Sequence, residues 1–192
     1  MKKFKSVMLA AVLFPAALLS PAPGLRESAD NAPEYRCEIA GYYAELREVS
    51  EGFGIVLLSP DYEEIFTASI DAVASFDEIS RELGKMKVPA EMREAHTALV
   101  NAVDSYRRSA DFIRIAVGTS LGKYEETGED LQELINRSII LAVTANEYLK
   151  QSLVLHDEVF GLYADGQGEN ACGTYASWDG YSVFPGVAGS GI

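Results

Sequence analysis

From Pro33 to Tyr163 the apolar residues step forward by four, then three, then four again, segment after segment. A strand sends alternate residues to one face, whereas a helix of 3.6 residues per turn brings i, i+3, i+4 and i+7 together. Kept up over so long a stretch, this spacing commits the chain to amphipathic helices. The first stripe is Tyr35, Ile39, Tyr42, Leu46, Val49, Phe53 and Val56; the second is Ile65, Ser69, Ala72, Phe76, Ile79, Leu83 and Met86. The third is Met92, His96, Leu99, Val103, Tyr106 and Ala110, continuing through Ile113 to Val117, with a histidine in an apolar slot. The fourth, within a segment from about Glu129 to Tyr163, is Leu134, Ser138, Leu141, Ala145, Tyr148, Ser152, Leu155, Val159 and Leu162. Ile139, Ile140, Val143, Leu149, Leu153 and Val154 widen this last stripe, which predicts that the fourth helix sits deepest.

The breaks carry helix-end chemistry. Pro33 suits a first helical turn, where its missing N–H has no partner to lose. Gly52 and Gly54 each weaken the first helix by up to ~1 kcal/mol against alanine, predicting a bend or fraying there. In "LLSPDYEE", Ser59 is the expected N-cap and Pro60 the first helical residue, followed by acids that complement the helix dipole. "GKMKVP" closes the second helix at Gly84 and restarts the chain at Pro89, and Gly118, Gly122 and Gly128 mark the third connection. Four long helices with short connections predict an all-α fold, an antiparallel up-down-up-down four-helix bundle. The alternating steps imply crossing near +20°. A helical hairpin that dimerises into the same bundle is the competing arrangement.

The first residues, "MKKFKSVMLAAVLFPAALLSPAPG", combine three lysines, an apolar run from Val7 to Leu19 and small residues ending at Gly24. That is the three-part pattern of a secretory signal peptide, and the run falls short of the roughly 20 residues a membrane span needs. The expected organisation is therefore 1–24 signal peptide, 25–164 bundle domain and 165–192 irregular tail. The tail is glycine-rich and carries Tyr175, Trp178, Tyr181 and Phe184, more aromatic than a solvated linker. Residues 1–24 hold three of the 16 basic and none of the 29 acidic residues, leaving 13 basic against 29 acidic, a net of −16. A surface this acidic repels phosphate backbones, so nucleic acid is set aside as a partner, and no later segment predicts stable membrane insertion. The expected location is outside the cytoplasm, periplasmic or extracellular in a bacterium.

The two cysteines test the topology. Cys37 opens the first helix and Cys172 follows the fourth; an up-down-up-down bundle brings those ends to one pole. Export supplies an oxidising compartment, and the expectation is a Cys37–Cys172 disulfide. Closing so long a loop stabilises by roughly 4–5 kcal/mol on the chain-entropy account.

Antiparallel pairing of the last two helices places the only two histidines, His96 and His156, within about one to two turns of each other. Asp77 and Glu78, with Glu38 and Tyr42, fall near the same level. The candidate ligand layer is accordingly His96, His156, Tyr42 and Asp77. Di-metal bundles use Glu-x-x-His on two helices, and here position 93 is arginine and position 153 leucine, so that motif fails twice. No H-E-x-x-H and no G-x-S-x-G occurs either. No cofactor, metal site or catalytic group is expected. The reading is an exported helical bundle that binds an unidentified protein or small ligand and is not an enzyme; the alternative is a metal- or small-ligand-binding bundle with its site around His96 and His156.

Overall fold

The computed structural model describes residues 32–124 and 130–164, with side chains from 34 to 124 and from 130 to 157. Among the described residues the fold is all-α, without a strand. Four helices pack against one another: α1 (Ala32–Val56), α2 (Tyr62–Leu83), α3 (Arg93–Ser120) and α4 (Leu131–Ala164). A 3-10 turn (Ala90–Met92) leads into α3. The expected export signal and the aromatic tail, Cys172 included, lie outside the described residues.

Side-chain pairs give the helix directions. Phe76 stacks on Tyr106 with ring centres 5.8 Å apart, and nearer the start of α2 Glu63 meets Lys123 at 2.8 Å. Rising numbers on α2 meet falling numbers after and along α3, so the two run antiparallel. On the next seam Ser152 bonds the Ala95 carbonyl and Ser109 bonds Ser138, which makes α3 and α4 antiparallel too. Tyr35 and Tyr43 of α1 reach His156 and Ser152 of α4 in the same reversed order.

The core runs through Ile39, Leu46 and Phe53, Phe76, Ile79 and Leu83, Met92, Leu99, Val103 and Tyr106, to Ala145 and Leu149. On α1 the buried side chains are Tyr35, Ile39, Tyr43, Leu46, Ser50 and Phe53, with Gly54 buried beside them, so the stripe lies one residue round from Tyr42 and Val49. Both remain half-buried at its edge. The helix expected deepest, α4, yields that place to α3 among the described side chains. α3 lies between α2 and α4 and buries residues from Ala95 to Gly118. α4 instead leaves Ile139, Ile140 and Val154 exposed.

Helix ends also depart from expectation in places. Asp61, not Ser59, caps α2: its carboxylate accepts the Glu63 N–H at 2.9 Å, a charged partner for the positive helix end. Pro60 therefore precedes the helix, and Ser59 accepts the Asp61 N–H at 3.1 Å while donating to Glu64. α1 runs as one helix through Gly52 and Gly54. α3 continues past Val117 because Gly118 has no side chain to obstruct: a Cβ there would strike the Tyr124 ring and lie 2.8 Å from Phe66. The chain then turns at Gly122, whose φ of 69° is the left-handed conformation glycine adopts without strain.

Candidate functional site

The antiparallel seams carry two hydroxyl-bearing tyrosines of α1 onto the two histidines. Tyr35 and Tyr43 are eight residues apart, hence on one face of α1. His156 and Ser152 are one turn apart on α4, and His96 follows Ala95 in the first turn of α3. Tyr35 Oη lies 3.1 Å from His96 Nδ1 and 2.9 Å from His156 Nε2. Tyr43 Oη lies 2.7 Å from His156 Nδ1 and 2.6 Å from Ser152 Oγ, and Ser152 donates to the Ala95 carbonyl at 2.6 Å. The result is an unbroken polar chain from α3 through α1 to α4 and back to α3.

This layer is dry. Tyr35, Tyr43, Ser152 and His156 are at most 2% exposed, and His96 is 8% exposed. Burial disfavours an imidazolium, so His156 is held down to about 4, with the neighbouring His96 adding to the effect and the Ser152 carbonyl opposing it. His96 is lowered as well, again by burial, and the Leu83 carbonyl pulls it part of the way back. Three of the four ring nitrogens are engaged by tyrosine hydroxyls.

Of the expected ligand layer, then, His96 and His156 converge, bridged by Tyr35. Tyr42 does not join them: it is half-buried among Glu82, Glu38 and Glu45, and burial followed by those charges raises its phenol above its ordinary value. Asp77 is exposed and pairs with Arg107 at 3.5 Å. The first stripe read from the sequence runs through Tyr42 and leaves Tyr43 out, and Ser152 stands there only as a position of the fourth stripe. The available signal was the shared face of Tyr35 and Tyr43. Among the described residues, no group of three or more His, Cys, Asp or Glu side chains converges to hold a metal ion.

Two other surface features stand apart from the layer. A groove of about 400 Å³ runs over α3 and α4 between Arg93, Thr97, Asn101, Tyr148 and Gln151. On α4, Leu131, Ile135, Ile139 and Val143 recur every four residues, forming an apolar ridge in solvent; Ile135 is 37% and Ile139 46% exposed. At the same pole the start of α2 presents Asp61, Glu63, Glu64 and Asp71 around a shallow depression. No helix of the described residues is long and apolar enough to cross a membrane. Comparison of the chain with models of protein families, with curated proteins and with solved structures finds no match.

Proposed function

We propose that this chain is an exported helical-bundle binding module whose contact surface is the ridge on α4, and that the buried histidine–tyrosine layer holds the scaffold together. The observation that carries the reading is the ridge itself. Leu131, Ile135, Ile139 and Val143 lie in solvent along the flank of a helix, directly beside its buried stripe of Leu134, Ser138, Ala142 and Ala145. Four apolar side chains in line on a folded helix form the kind of exposed patch that marks an interaction site. The acids at the start of α2 and the net charge of −16 left once residues 1–24 are removed (13 basic against 29 acidic) select the partner's chemistry: an amphipathic protein segment with an apolar face and basic flanks.

Within the same proposal, residues 1–24 direct export and are removed, and residues 165–192 form a tail tied to the bundle by a Cys37–Cys172 disulfide. The place of action is periplasmic or extracellular, and neither catalysis nor a cofactor is assigned. The competing reading, a ligand held by the histidine layer, draws support from the convergence of His96 and His156. The protein's own hydroxyls already occupy most of the donors and acceptors such a ligand would use.

The test is titration of the full mature chain with a synthetic Leu/Lys amphipathic peptide and with a Leu/Glu counterpart. Saturable binding of the basic peptide is expected, lost in Ile135→Gln with Ile139→Gln while the melting curve stays put. Equal binding by that variant, or binding of neither peptide, overturns the assignment.

A further inference from the structure

The groove over α3 and α4 lies toward the pole where the chain leaves α4, and its lining sets what it can hold. Ala98 forms part of its floor, 4% exposed, with a single methyl where a larger side chain would fill the space. One wall is Tyr148, half-buried and packed against the core. Thr97, Asn101 and Gln151 make a polar, uncharged rim, and Arg93 closes it at the start of α3. Arg47, Arg81, Arg107, Arg114 and Arg137 each hold a carboxylate. Arg93 holds none among the described residues, although it is exposed and stands at the positive end of a helix. A flat aromatic side chain with one adjacent carboxylate suits this lining: the ring against Tyr148 and the guanidinium, the carboxylate on Arg93. Glu94, on the same rim, disfavours an occupant with more negative charge than that.

The chain itself carries such an element. From Asn170 to Ile192 the single charged side chain is Asp179, and it follows Trp178, the only tryptophan in the sequence. We propose that the groove is the seat of this C-terminal segment, with the Trp178 indole against Tyr148 and the Asp179 carboxylate on Arg93, strapping the α3–α4 seam from outside.

Reach decides between this seat and the apolar ridge. Ala164 lies thirteen residues beyond Gln151, about 20 Å along α4, and Trp178 is fourteen residues further, up to about 46 Å of extended chain. The segment can thus turn back and meet the groove with slack. Once Cys172 is bonded to Cys37, Trp178 is six residues from that anchor, at most about 20 Å away. Cys37 stands two residues from Tyr35, which bonds His156, and Gln151 is five residues, about 8 Å, before His156 on α4. Ile139 is seventeen residues, about 26 Å, before His156, beyond the reach of Trp178 from the same anchor. The ridge therefore stays open to an outside partner. The tether also lowers what the contact must supply, because a short link presents the segment at an effective concentration of about a millimolar.

A single tryptophan lets fluorescence read the seat directly. In the full chain Trp178 is expected to emit to the blue of free indole and to resist quenching by acrylamide. Arg93→Glu sets two carboxylates against each other, and the emission is expected to move to that of free indole; Asp179→Arg alone should do the same. Combined, the two substitutions rebuild the pair with its signs exchanged, and the shielded, blue-shifted emission returns. Helix content by circular dichroism, unchanged throughout, separates release of the segment from loss of the bundle. Should Arg93→Glu lose helix, Asp179→Arg decides: a Trp178 still shielded in it overturns the seat. Free-indole emission in the unmodified chain also overturns it, as does a shielded Trp178 that ignores Arg93→Glu, or a double variant that stays released.

Discussion

Tyr35 and His156 stand 121 residues apart in the chain, yet the Tyr35 hydroxyl lies 2.9 Å from His156 Nε2. One bond thus ties the first turn of α1 to the last turns of α4, far from either connecting loop. Tyr43, two turns on, repeats the tie through Ser152. Polar groups this deep cost stability unless each is satisfied, and satisfied they fix one register where greasy stripes alone tolerate slippage.

The same closure predicts the disulfide. Cys37 lies two residues from Tyr35 and half-buried on α1, at the pole where α4 ends. The chain produced in an oxidising compartment is expected to yield no alkylatable thiol before reduction and two after it. Cys37→Ser should cost about 2–5 kcal/mol in chemical denaturation. Two free thiols in the unreduced protein would contradict the pairing.

Acid should loosen the fold from the histidines first. Burial holds His156 at about 4 in the folded chain, below its ordinary 6.5. Between those values the unfolded chain binds a proton that the native chain refuses. The contribution is whole above pH 6.5 and is lost as pH falls toward 4, by up to about 3 kcal/mol. His96, lowered in the same direction, adds to the slope. Urea midpoints measured at pH 7, 5.5 and 4.5 should fall in that order, and His156→Gln should flatten the profile. An unmodified chain with constant midpoints over this range would refute the account.

How much of this was legible beforehand follows from what periodicity encodes. The four helices were legible because each buries one face, and the face writes itself as steps of three and four. The meeting of His96 and His156 was legible because antiparallel neighbours with short loops have nearly fixed register. Tyr43 was not: a stripe through 35, 39, 42 and one through 35, 39, 43 are equally good helical spacings, and only the position of α4 decides between them. Asp77 failed for a related reason. Its level along the bundle was right, but its direction round α2 points to solvent and Arg107. The depth of α4 was misjudged because apolar content was equated with burial, whereas the ridge from Leu131 to Val143 is apolar and exposed.

Thr119 should be improvable. Among the described residues its Oγ1 is the one buried side-chain polar atom without a hydrogen-bond partner. Leaving a hydroxyl desolvated and unbonded costs roughly 1–3 kcal/mol, and valine has nearly the same shape. Thr119→Val, measured by thermal and urea unfolding, should stabilise by about 1 kcal/mol. A destabilised variant would mean that the hydroxyl has a partner in solution.

Ser138 tests what holds α3 against α4. Ser109 donates to the Ser138 carbonyl at 2.9 Å, and the two hydroxyl oxygens are also 2.9 Å apart, both side chains being buried. Ala102, Ala110 and Ala145 continue the same seam of small residues, which lets the two backbones approach closely. If hydrogen bonding dominates, Ser138→Ala and Ser138→Leu should cost similar amounts. If close approach dominates, alanine should cost only about 1 kcal/mol for the lost hydroxyl contact, while leucine should cost about 3 kcal/mol or more by forcing the helices apart. The second outcome is expected, because the Ser109 hydrogen bond to the Ser138 backbone survives the change to alanine and the separation does not survive leucine. Paired denaturation curves decide it, and equal losses would reverse the ranking.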